Sequence, residues 1–305
     1  MRRLLVVTAV AALGVAAYVG AGSAAPGSGQ SAAASAAAAP KAPPLPAEVR
    51  ARKRWVIGVK CDFPPFGYID VRGRNAGYDV EVARYFAELA FGKANRISLV
   101  CVTTPSRIPA LQTKRVDIIV STLTYTFARA EVIDFSIPYY GATGRLLVKK
   151  GSSIAALADL SGKTVVTTRG ALYATWVRKC FGGAKLLEVD SPSSAILALK
   201  DGRADTFMFD DAFLLGVATT DQEVALTKDK FLEIPWGIGI RKGETGMKQW
   251  VDWALRRMRA KDRFIGYLRN NAPARLVPEF IDTLPRPNRA LRYPTPATDP
   301  LNRCP

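Results

Sequence analysis

The sequence contains no histidine among its 305 residues. This absence excludes Ser-His-Asp and Cys-His catalytic arrangements, and it excludes metal sites built on imidazole. Cysteine is also scarce, with four residues at positions 61, 101, 180 and 304, and none has a CxxC or other metal-site spacing. We therefore expect no metal and no cofactor. Four cysteines in an exported chain permit three disulfide pairings, one of which, Cys180 with Cys304, would tie the end of the sequence back to its middle.

Acidic residues are outnumbered, with 26 Asp and Glu against 43 Lys and Arg, for a net charge of +17. No helix-turn-helix, zinc-finger or RNA-binding pattern accompanies this charge, so nucleic acid is not an expected partner. The excess instead favours attraction to anions, such as acidic ligands or membrane surfaces.

Long apolar runs are absent beyond the first part of the chain. Residues 1–25 have a basic start, an apolar stretch and then small residues, a pattern typical of a signal peptide. Residues 26–50 are rich in Ala, Ser and Pro, which predicts a disordered linker. No later window is long enough for a membrane span. Loss of Arg2 and Arg3 with the signal would leave a charge of about +15.

One helix–strand unit occurs twice in the sequence. The first copy has Leu111, then Arg115 four residues later and Asp117 two residues after that. The second copy repeats this spacing from Leu199 to Asp205. Each copy continues as a short apolar run, which is typical of a buried strand, and each run ends in polar residues.

The polar residues after the two strands differ in chemistry. Thr122, Thr124 and Arg129 follow the first strand, whereas Asp210 follows the second. Ligands of open α/β sheets bind beyond the carboxyl ends of strands. Arginine and threonine donate to a carboxylate, and an aspartate accepts from an ammonium group. The two loops therefore predict a site for a zwitterion.

Alternating helices and strands predict an α/β fold with mostly parallel sheets. Two similar series joined by two crossovers predict two lobes with a hinge and a ligand cleft between them. We assign residues 51–141 and 236–283 to lobe one, 142–235 to lobe two, and 284–305 to an extended C-terminal tail. We also predict one long helix over residues 245–270.

Read in order, the motifs resemble the polar amino-acid-binding proteins of ABC importers. This extracytoplasmic solute-binding family has the two-lobed periplasmic-binding-protein, or Venus-flytrap, fold. The resemblance covers about residues 53–270. The motifs that carry it are Gly58-Val59 with Asp62-Phe63-Pro64-Pro65-Phe66, Gly77-Tyr78-Asp79-Val80, Arg107-Ile108-Pro109-Ala110-Leu111, Val116-Asp117-Ile118-Ile119, Thr124-Tyr125-Thr126 with Arg129, Asp134-Phe135-Ser136-Ile137-Pro138-Tyr139-Tyr140, Asp159-Leu160-Ser161-Gly162-Lys163 and Trp236-Gly237-Ile238-Gly239-Ile240.

The resemblance implies a role for each candidate site residue. Arg129 should hold the ligand α-carboxylate, with help from Thr124 and the backbone near Thr122. Asp210 should accept from the α-ammonium group. Further roles fall to Phe63, as an apolar wall against the ligand, and to Gly170 with its neighbours, as backbone donors from lobe two.

Two departures from the family pattern bear on the ligand. Gly170 is followed by Ala171, where the family often has Ser or Thr, so a side-chain donor is missing. Lys60 stands where many binders of cationic and polar amino acids have an acid. The combination of Lys60 and Arg107 resembles the aspartate/glutamate-binding branch of the family, in which a lysine and an arginine can hold the side-chain carboxylate. The expected ligand is therefore L-glutamate or L-aspartate.

Structural interpretations compete with these roles. Arg129 could pair with Glu131 or Asp134, and Asp210 could cap the following helix, although Asp211 is better placed for that. Lys60 could be an ordinary exposed lysine, and Arg107 could start its helix and pair with an acid.

Other motif residues are interpreted as structural. We expect Phe66 in the core, Trp236 at the hinge, and Asp117 and Asp205 holding backbone donors. We expect Asp79 only to favour the first turn of its helix.

The main functional prediction is a monomeric periplasmic protein that captures an amino acid and delivers it to an ABC permease. The alternative is a cyclohexadienyl or prephenate-type dehydratase on the same fold, with Glu188 and Asp210 as candidate proton-transfer groups. A third alternative is a sensor lobe detached from a receptor, which the short tail without a further domain disfavours.

Overall fold

The computed structural model describes residues 41–305. The predicted signal peptide and residues 26–40 of the predicted linker lie outside this range. Residues 47–50, which we predicted as disordered, belong to a helix over Ala47–Arg52. Val49 of this helix is fully buried, and Arg52 pairs with Asp117. These contacts explain why the prediction was wrong for this part of the linker.

Helices and strands alternate through the described residues. The strands are β1 (Trp55–Val59), β2 (Asp62–Phe63), β3 (Gly67–Ile69), β4 (Asn75–Ala76), β5 (Ile97–Cys101), β6 (Ile118–Ile119), β7 (Ile133–Phe135), β8 (Gly144–Lys149), β9 (Thr164–Thr168), β10 (Lys185–Val189), β11 (Thr206–Asp210), β12 (Val224–Leu226) and β13 (Gly239–Arg241). The α-helices are α1 (Ala47–Arg52), α2 (Tyr78–Phe91), α3 (Arg107–Gln112), α4 (Phe127–Val132), α5 (Leu172–Cys180), α6 (Pro192–Lys200), α7 (Asp211–Thr220), α8 (Thr245–Ala260), α9 (Arg263–Asn271) and α10 (Val277–Ile281). Between residues 41 and 305, no helix combines the length and the apolar character that crossing a bilayer requires.

Two five-stranded sheets define the two lobes. The lobe-one sheet has the order β5-β1-β6-β13-β7, and the lobe-two sheet has the order β10-β9-β11-β8-β12. The interior strands β1 and β9 each pair in parallel with both of their neighbours. Strands β13 and β8 each pair antiparallel with both of their neighbours. The predicted two-lobed α/β fold is confirmed, with sheets that are mixed rather than mostly parallel.

The chain crosses between the sheets twice, and the two crossing segments touch. Trp236 forms isolated bridges with both Thr124 and Tyr140. Its ring is fully buried and stacks on Tyr140 at 4.4 Å between ring centroids. The segment before Gly239 makes these isolated bridges instead of a continuous strand because it is passing between sheets. Trp236 therefore lies at the hinge, as expected.

The long helix predicted over residues 245–270 is interrupted. Helix α8 ends at Ala260 and α9 begins at Arg263. Between them, Asp262 adopts a left-handed conformation with φ of 51°. Its carboxylate accepts two hydrogen bonds from Arg286 of the C-terminal tail, at 2.7 and 2.8 Å. The apolar pattern of residues 245–270 does not predict this break, because the partner of Asp262 lies 24 positions later in the sequence.

The repeated helix–strand unit makes the same contacts in both lobes. The Asp117 carboxylate accepts from the Val56 amide at 2.7 Å, and the Asp117 amide donates to the Val56 carbonyl at 2.7 Å. Asp205 exchanges the same two bonds with Thr164, at 2.7 and 2.8 Å. Each aspartate thus fixes the start of an interior strand, β1 in one sheet and β9 in the other. The expectation that both are structural is confirmed.

Two disulfides complete the described fold. Cys61 is bonded to Cys101 within lobe one. Cys180, the last residue of α5, is bonded to Cys304 in the tail. The tail contains two short 3-10 turns, over Pro296–Thr298 and Pro300–Asn302, so it is not fully extended.

Removing either repeated aspartate should destabilise the protein. Asp117→Ala should lower the free energy of unfolding by about 2 kcal/mol, because it leaves the part-buried Val56 amide and Arg52 without their acceptor. Asp205→Ala should cost about 1 kcal/mol, because its side chain is more exposed. Urea unfolding provides the measurement, with the exposed Asp201→Ala as the control. An equal loss in the control would refute the assigned role.

Candidate functional site

Phe63 forms an aromatic contact between the lobes. Its ring centroid lies 5.7 Å from Phe209 and 5.0 Å from Phe213, both in lobe two. It also lies 5.9 Å from Trp236 at the hinge. Phe66 instead packs among the lobe-one and hinge rings of Tyr78, Tyr140, Trp236 and Phe280. The two phenylalanines therefore divide as the motif implied, one between the lobes and one in the core.

Arg129 reaches from lobe one to lobe two. Helix α4 begins after Thr126, whose hydroxyl accepts from the Arg129 amide at 3.1 Å. The Arg129 guanidinium donates to the Thr124 carbonyl at 2.6 Å and to the Gly170 carbonyl at 2.9 Å. Asp134 is paired with Lys242 at 3.2 Å and not with Arg129. The acceptors of the Arg129 guanidinium are two neutral carbonyls, and its remaining N–H donors are left for an anion.

Burial changes the acid–base behaviour of Arg129. It lowers the pKa of Arg129 to about 9, with nearby Arg107 acting in the same direction and Asp210 opposing it. Arg129 is half-buried, and removing a cation even partly from water without a carboxylate partner is costly. Within residues 41–305, no carboxylate lies within ion-pairing distance of Arg129, so an anionic ligand would relieve this cost.

Asp210 is the counterpart of Arg129 in lobe two. It is the last residue of β11, and its carboxylate accepts from the Tyr173 hydroxyl at 2.8 Å. Burial raises the pKa of Asp210 to about 6, while the Tyr173 bond and the charges of Arg107 and Arg129 oppose the rise. Asp210 does not cap α7 through its side chain.

The neighbouring Asp211 also has a role other than the expected cap. Its carboxylate pairs with Arg145 at 3.2 Å and with Lys230 at 2.9 Å. Asp210 lacks such a basic partner among the described residues. The two adjacent aspartates are thus distinguished by their partners, one paired with cations and one bonded to a phenol.

Lys60 and Arg107 already have protein partners. Lys60 is 1% exposed, and its ammonium lies 2.9 Å from the Asp62 carboxylate and 3.2 Å from the Thr104 hydroxyl. Burial lowers the pKa of Lys60, although Asp62 opposes the change. Arg107 starts α3 and donates to the carbonyls of Ser121 and Thr122 at 2.7 and 3.0 Å. The interpretation of Lys60 as an exposed lysine is wrong.

Thr122 is held by a buried acid that sequence reasoning missed. Its φ is 50°, and its amide donates to the Asp79 carboxylate at 2.9 Å. The Tyr139 hydroxyl donates to the same carboxylate at 3.0 Å. Burial raises the pKa of Asp79 to about 7, against the effect of these bonds. The Thr122 amide is therefore occupied, and the expectation that Asp79 has no further role is wrong.

Gly170 contributes its carbonyl to the contact between lobes. Its φ is +75°, a conformation that favours glycine. A Cβ at this position would lie 3.3 Å from the Cα of Pro105 in lobe one, so the two backbones approach closely here. The sequence predicted backbone donors at Gly170, whereas the bond to Arg129 uses its carbonyl as an acceptor.

The charges around the cleft balance. The cations are Lys60, Arg107 and Arg129, and the pKa values of these groups respond to the nearby carboxylates of Asp62, Asp79 and Asp210. The site can therefore accept a ligand without net charge at little electrostatic cost. Of these six groups, Lys60 and Asp62 pair with each other, whereas Arg107, Asp79, Arg129 and Asp210 are bonded to neutral groups within the described chain.

A family model described as bacterial extracellular solute-binding proteins, family 3, matches residues 55–266. The chain belongs to this family. This family 3 protein is 32% identical over 220 residues to the ABC transporter glutamine-binding protein GlnH of Bacillus subtilis, covering 72% of this chain and 81% of that protein. It is 36% identical over 197 residues to a glutamine-binding protein of Geobacillus stearothermophilus, covering 64% of this chain and 75% of that protein.

A solved structure agrees with the fold of this family 3 protein. The cysteine-binding protein from Campylobacter jejuni superposes with a TM-score of 0.70 at 27% identity, covering 74% of this chain and 92% of that chain. The matched family is described as solute-binding proteins, so the chain is a solute-binding protein rather than an enzyme. Glu188, a candidate proton-transfer group in the dehydratase alternative, is paired with Arg178.

Removing Asp79 should disturb the loop that carries the candidate site. Asp79→Ala leaves the buried Thr122 amide and Tyr139 hydroxyl without an acceptor, which should lower the free energy of unfolding by about 2–4 kcal/mol. Asp79→Asn keeps one acceptor oxygen and should cost clearly less. Denaturant unfolding at pH 8, where the wild-type carboxyl is ionised, measures both. Equal losses for the two variants would contradict this assignment.

Proposed function

We propose that the protein captures an amino acid between its lobes and passes it to the permease of an ABC importer. The observation that carries the proposal is the pair of oppositely charged groups on opposite lobes, the half-buried Arg129 and the buried Asp210. Each is held by neutral protein groups, and neither has an ion-pair partner within residues 41–305. A zwitterion supplies both missing charges at once.

In this proposal the ligand α-carboxylate binds Arg129 and its α-ammonium group binds Asp210. Charge-assisted hydrogen bonds of this kind are among the strongest in proteins. Thr124 lies beside Arg129, and in this proposal its hydroxyl is a further, neutral donor to the carboxylate. Phe63 provides an apolar wall, and the Gly170 region lines the lobe-two side.

For the ligand side chain we infer an uncharged polar group, with L-glutamine as the first candidate. The acidic ligand suggested by Lys60 and Arg107 needs a free cation. Lys60 is instead paired with Asp62, so of the two only Arg107, held by two carbonyls, keeps donors for a ligand. Two of the relatives are named as glutamine-binding proteins, which supports the same choice.

L-Glutamate and L-aspartate are the second candidates, since two basic side chains lie in the cleft. Export to the periplasm and delivery to a permease belong to the same proposal, and the monomeric state stays a prediction. Glutamine and glutamate differ in one group, so the choice between them depends on whether Lys60 keeps its partner.

Calorimetric titration of the refolded, ligand-free protein with the common amino acids tests the proposal. L-Glutamine should bind most tightly. Arg129→Ala should weaken binding roughly 100-fold, the value of two charged hydrogen bonds at about 1.5 kcal/mol each. The exposed Arg115→Ala should bind as the wild type does. Failure of every amino acid to bind would overturn the proposal, and tighter binding of L-glutamate would overturn the choice of side chain.

The affinity should also depend on pH through Asp210. Below its pKa of about 6, Asp210 takes up a proton and loses the charge that attracts the ligand ammonium group. The binding constant should therefore fall about tenfold for each pH unit below that value, and change little between pH 7 and 8.

Titrations from pH 8 to pH 5 measure this dependence. Asp210→Asn should bind more weakly and lose the part of the pH dependence that Asp210 causes. This variant is the necessary control because Asp79, with a pKa of about 7, titrates in a nearby range. A wild-type affinity that stays constant down to pH 5 would be incompatible with the assigned role.

A further inference from the structure

The C-terminal tail is anchored to lobe one by Tyr293. Its ring stacks on Tyr125 with 4.4 Å between centroids, and its hydroxyl donates to the Ser136 carbonyl at 2.8 Å. A Cβ on Gly237 would lie 1.9 Å from the Tyr293 hydroxyl oxygen. Glycine at position 237, next to the hinge residue Trp236, is therefore required for the tail to seat on lobe one.

Arginines fix the part of the tail that precedes Tyr293. Arg286 forms two hydrogen bonds with Asp262, between α8 and α9 of lobe one. Arg289 donates to the carbonyls of Ile281 and Leu284 at 3.1 and 3.0 Å. Residues 286–293 are therefore held to lobe one at several points.

The end of the tail is anchored to lobe two, on helix α5. Cys304 is bonded covalently to Cys180. The Trp176 indole donates to the Arg303 carbonyl at 3.4 Å, and Lys179 donates to the Leu301 carbonyl at 3.1 Å. A disulfide and hydrogen bonds from two side chains therefore hold residues 301–304 to a single helix.

Residues 294–300 cross from one lobe to the other, and their sequence makes them stiff. Three of them are proline, at positions 294, 296 and 300. Proline fixes φ and reduces the freedom of the chain. The Thr298 hydroxyl accepts from the Thr295 amide at 2.8 Å, and the Asp299 carboxylate accepts from the Leu301 amide at 3.0 Å.

The crossing segment runs beside the candidate site. Pro296 and Asp299 line a cavity of about 570 Å³ together with Phe127 and Arg129 of lobe one and Trp176 of lobe two. The carboxylate-binding candidate Arg129 and the tail therefore border the same space. Separation of the lobes at this point would pull on the tail.

We propose that the C-terminal tail is a third, covalently closed connection between the lobes, which favours the closed cleft and slows ligand release. With the lobes in contact, Tyr293 keeps its contacts with lobe one while Cys304 stays bonded to lobe two. Opening the cleft has to break tail contacts or unfold the turns over residues 295–302. The tail thus adds a cost to opening that the two crossovers at Trp236 do not impose.

This restraint acts on ligand affinity through the open–closed equilibrium. A ligand that binds the closed form loses apparent affinity in proportion to the fraction of protein that is open. Releasing the tail should raise that fraction, so binding should weaken and dissociation should become faster. The effect requires no contact between the tail and the ligand.

The test measures the distance between the lobes in ligand-free protein by single-molecule energy transfer. Dyes are attached through non-cysteine chemistry at Lys93 of lobe one and Lys150 of lobe two, both exposed. One variant, Cys180→Ser with Cys304→Ser, removes the covalent anchor. A second variant keeps the disulfide and inserts a Gly-Ser segment between Ala297 and Thr298, which lengthens the crossing. The control carries the same insertion after Arg72, in an exposed hairpin of lobe one.

Both tail variants should shift the ligand-free population toward longer distances between the lobes, and the control should match the wild type. This readout needs no ligand, so its failure is distinct from failure of the proposed function. Where L-glutamine binds, its release in stopped-flow experiments should be about tenfold faster in both tail variants. Unchanged distances in the variant with the lengthened crossing, which retains its disulfide, would overturn the proposal.

Discussion

Burial of charge between the two lobes is the constraint on which the rest of the structure depends. An ionised group removed from water is costly unless another charge or several hydrogen bonds compensate for it. Lys60 meets this requirement with Asp62, and Asp79 meets it with an amide and a phenol. Arg107 and Arg129, each bonded to two neutral carbonyls, and Asp210, bonded to one phenol, meet it only in part. The cleft is therefore complete when a ligand brings one charge of each sign.

Contact between the lobes depends on a small number of elements that share residues with the site. Trp236 links both crossovers and contacts Phe63, whose ring also touches lobe two. Arg129 joins its own loop to the Gly170 carbonyl across the cleft. Closure of the lobes therefore brings the carboxylate-binding and ammonium-binding groups together, and the binding step and the conformational step are coupled physically.

Much of the fold and the core of the site could be predicted because their signals are local. The spacing from Leu111 to Asp117 recurs from Leu199 to Asp205, and residues that follow strands identified Arg129 and Asp210. The missed features depend on distant partners. Asp79 accepts a hydrogen bond from Thr122, which lies 43 positions later in the sequence. The break between α8 and α9 at Asp262 depends on Arg286, 24 positions later. The pairing of Lys60 with Asp62 was missed for another reason: Lys60 lies in the irregular link between β1 and β2, where no strand period indicates which side chains face each other.

The most direct test of the account is the ligand selectivity of Asp62→Asn. The substitution keeps the shape of the side chain but removes the charge that compensates Lys60, which would then be free for an acidic ligand. Titration calorimetry gives the ratio of the dissociation constants for L-glutamate and L-glutamine in the wild type and the variant. We expect this ratio to shift toward L-glutamate by about tenfold, the effect of about 1.4 kcal/mol. An unchanged ratio, or a shift toward L-glutamine, would contradict a cleft whose selectivity is set by charge balance.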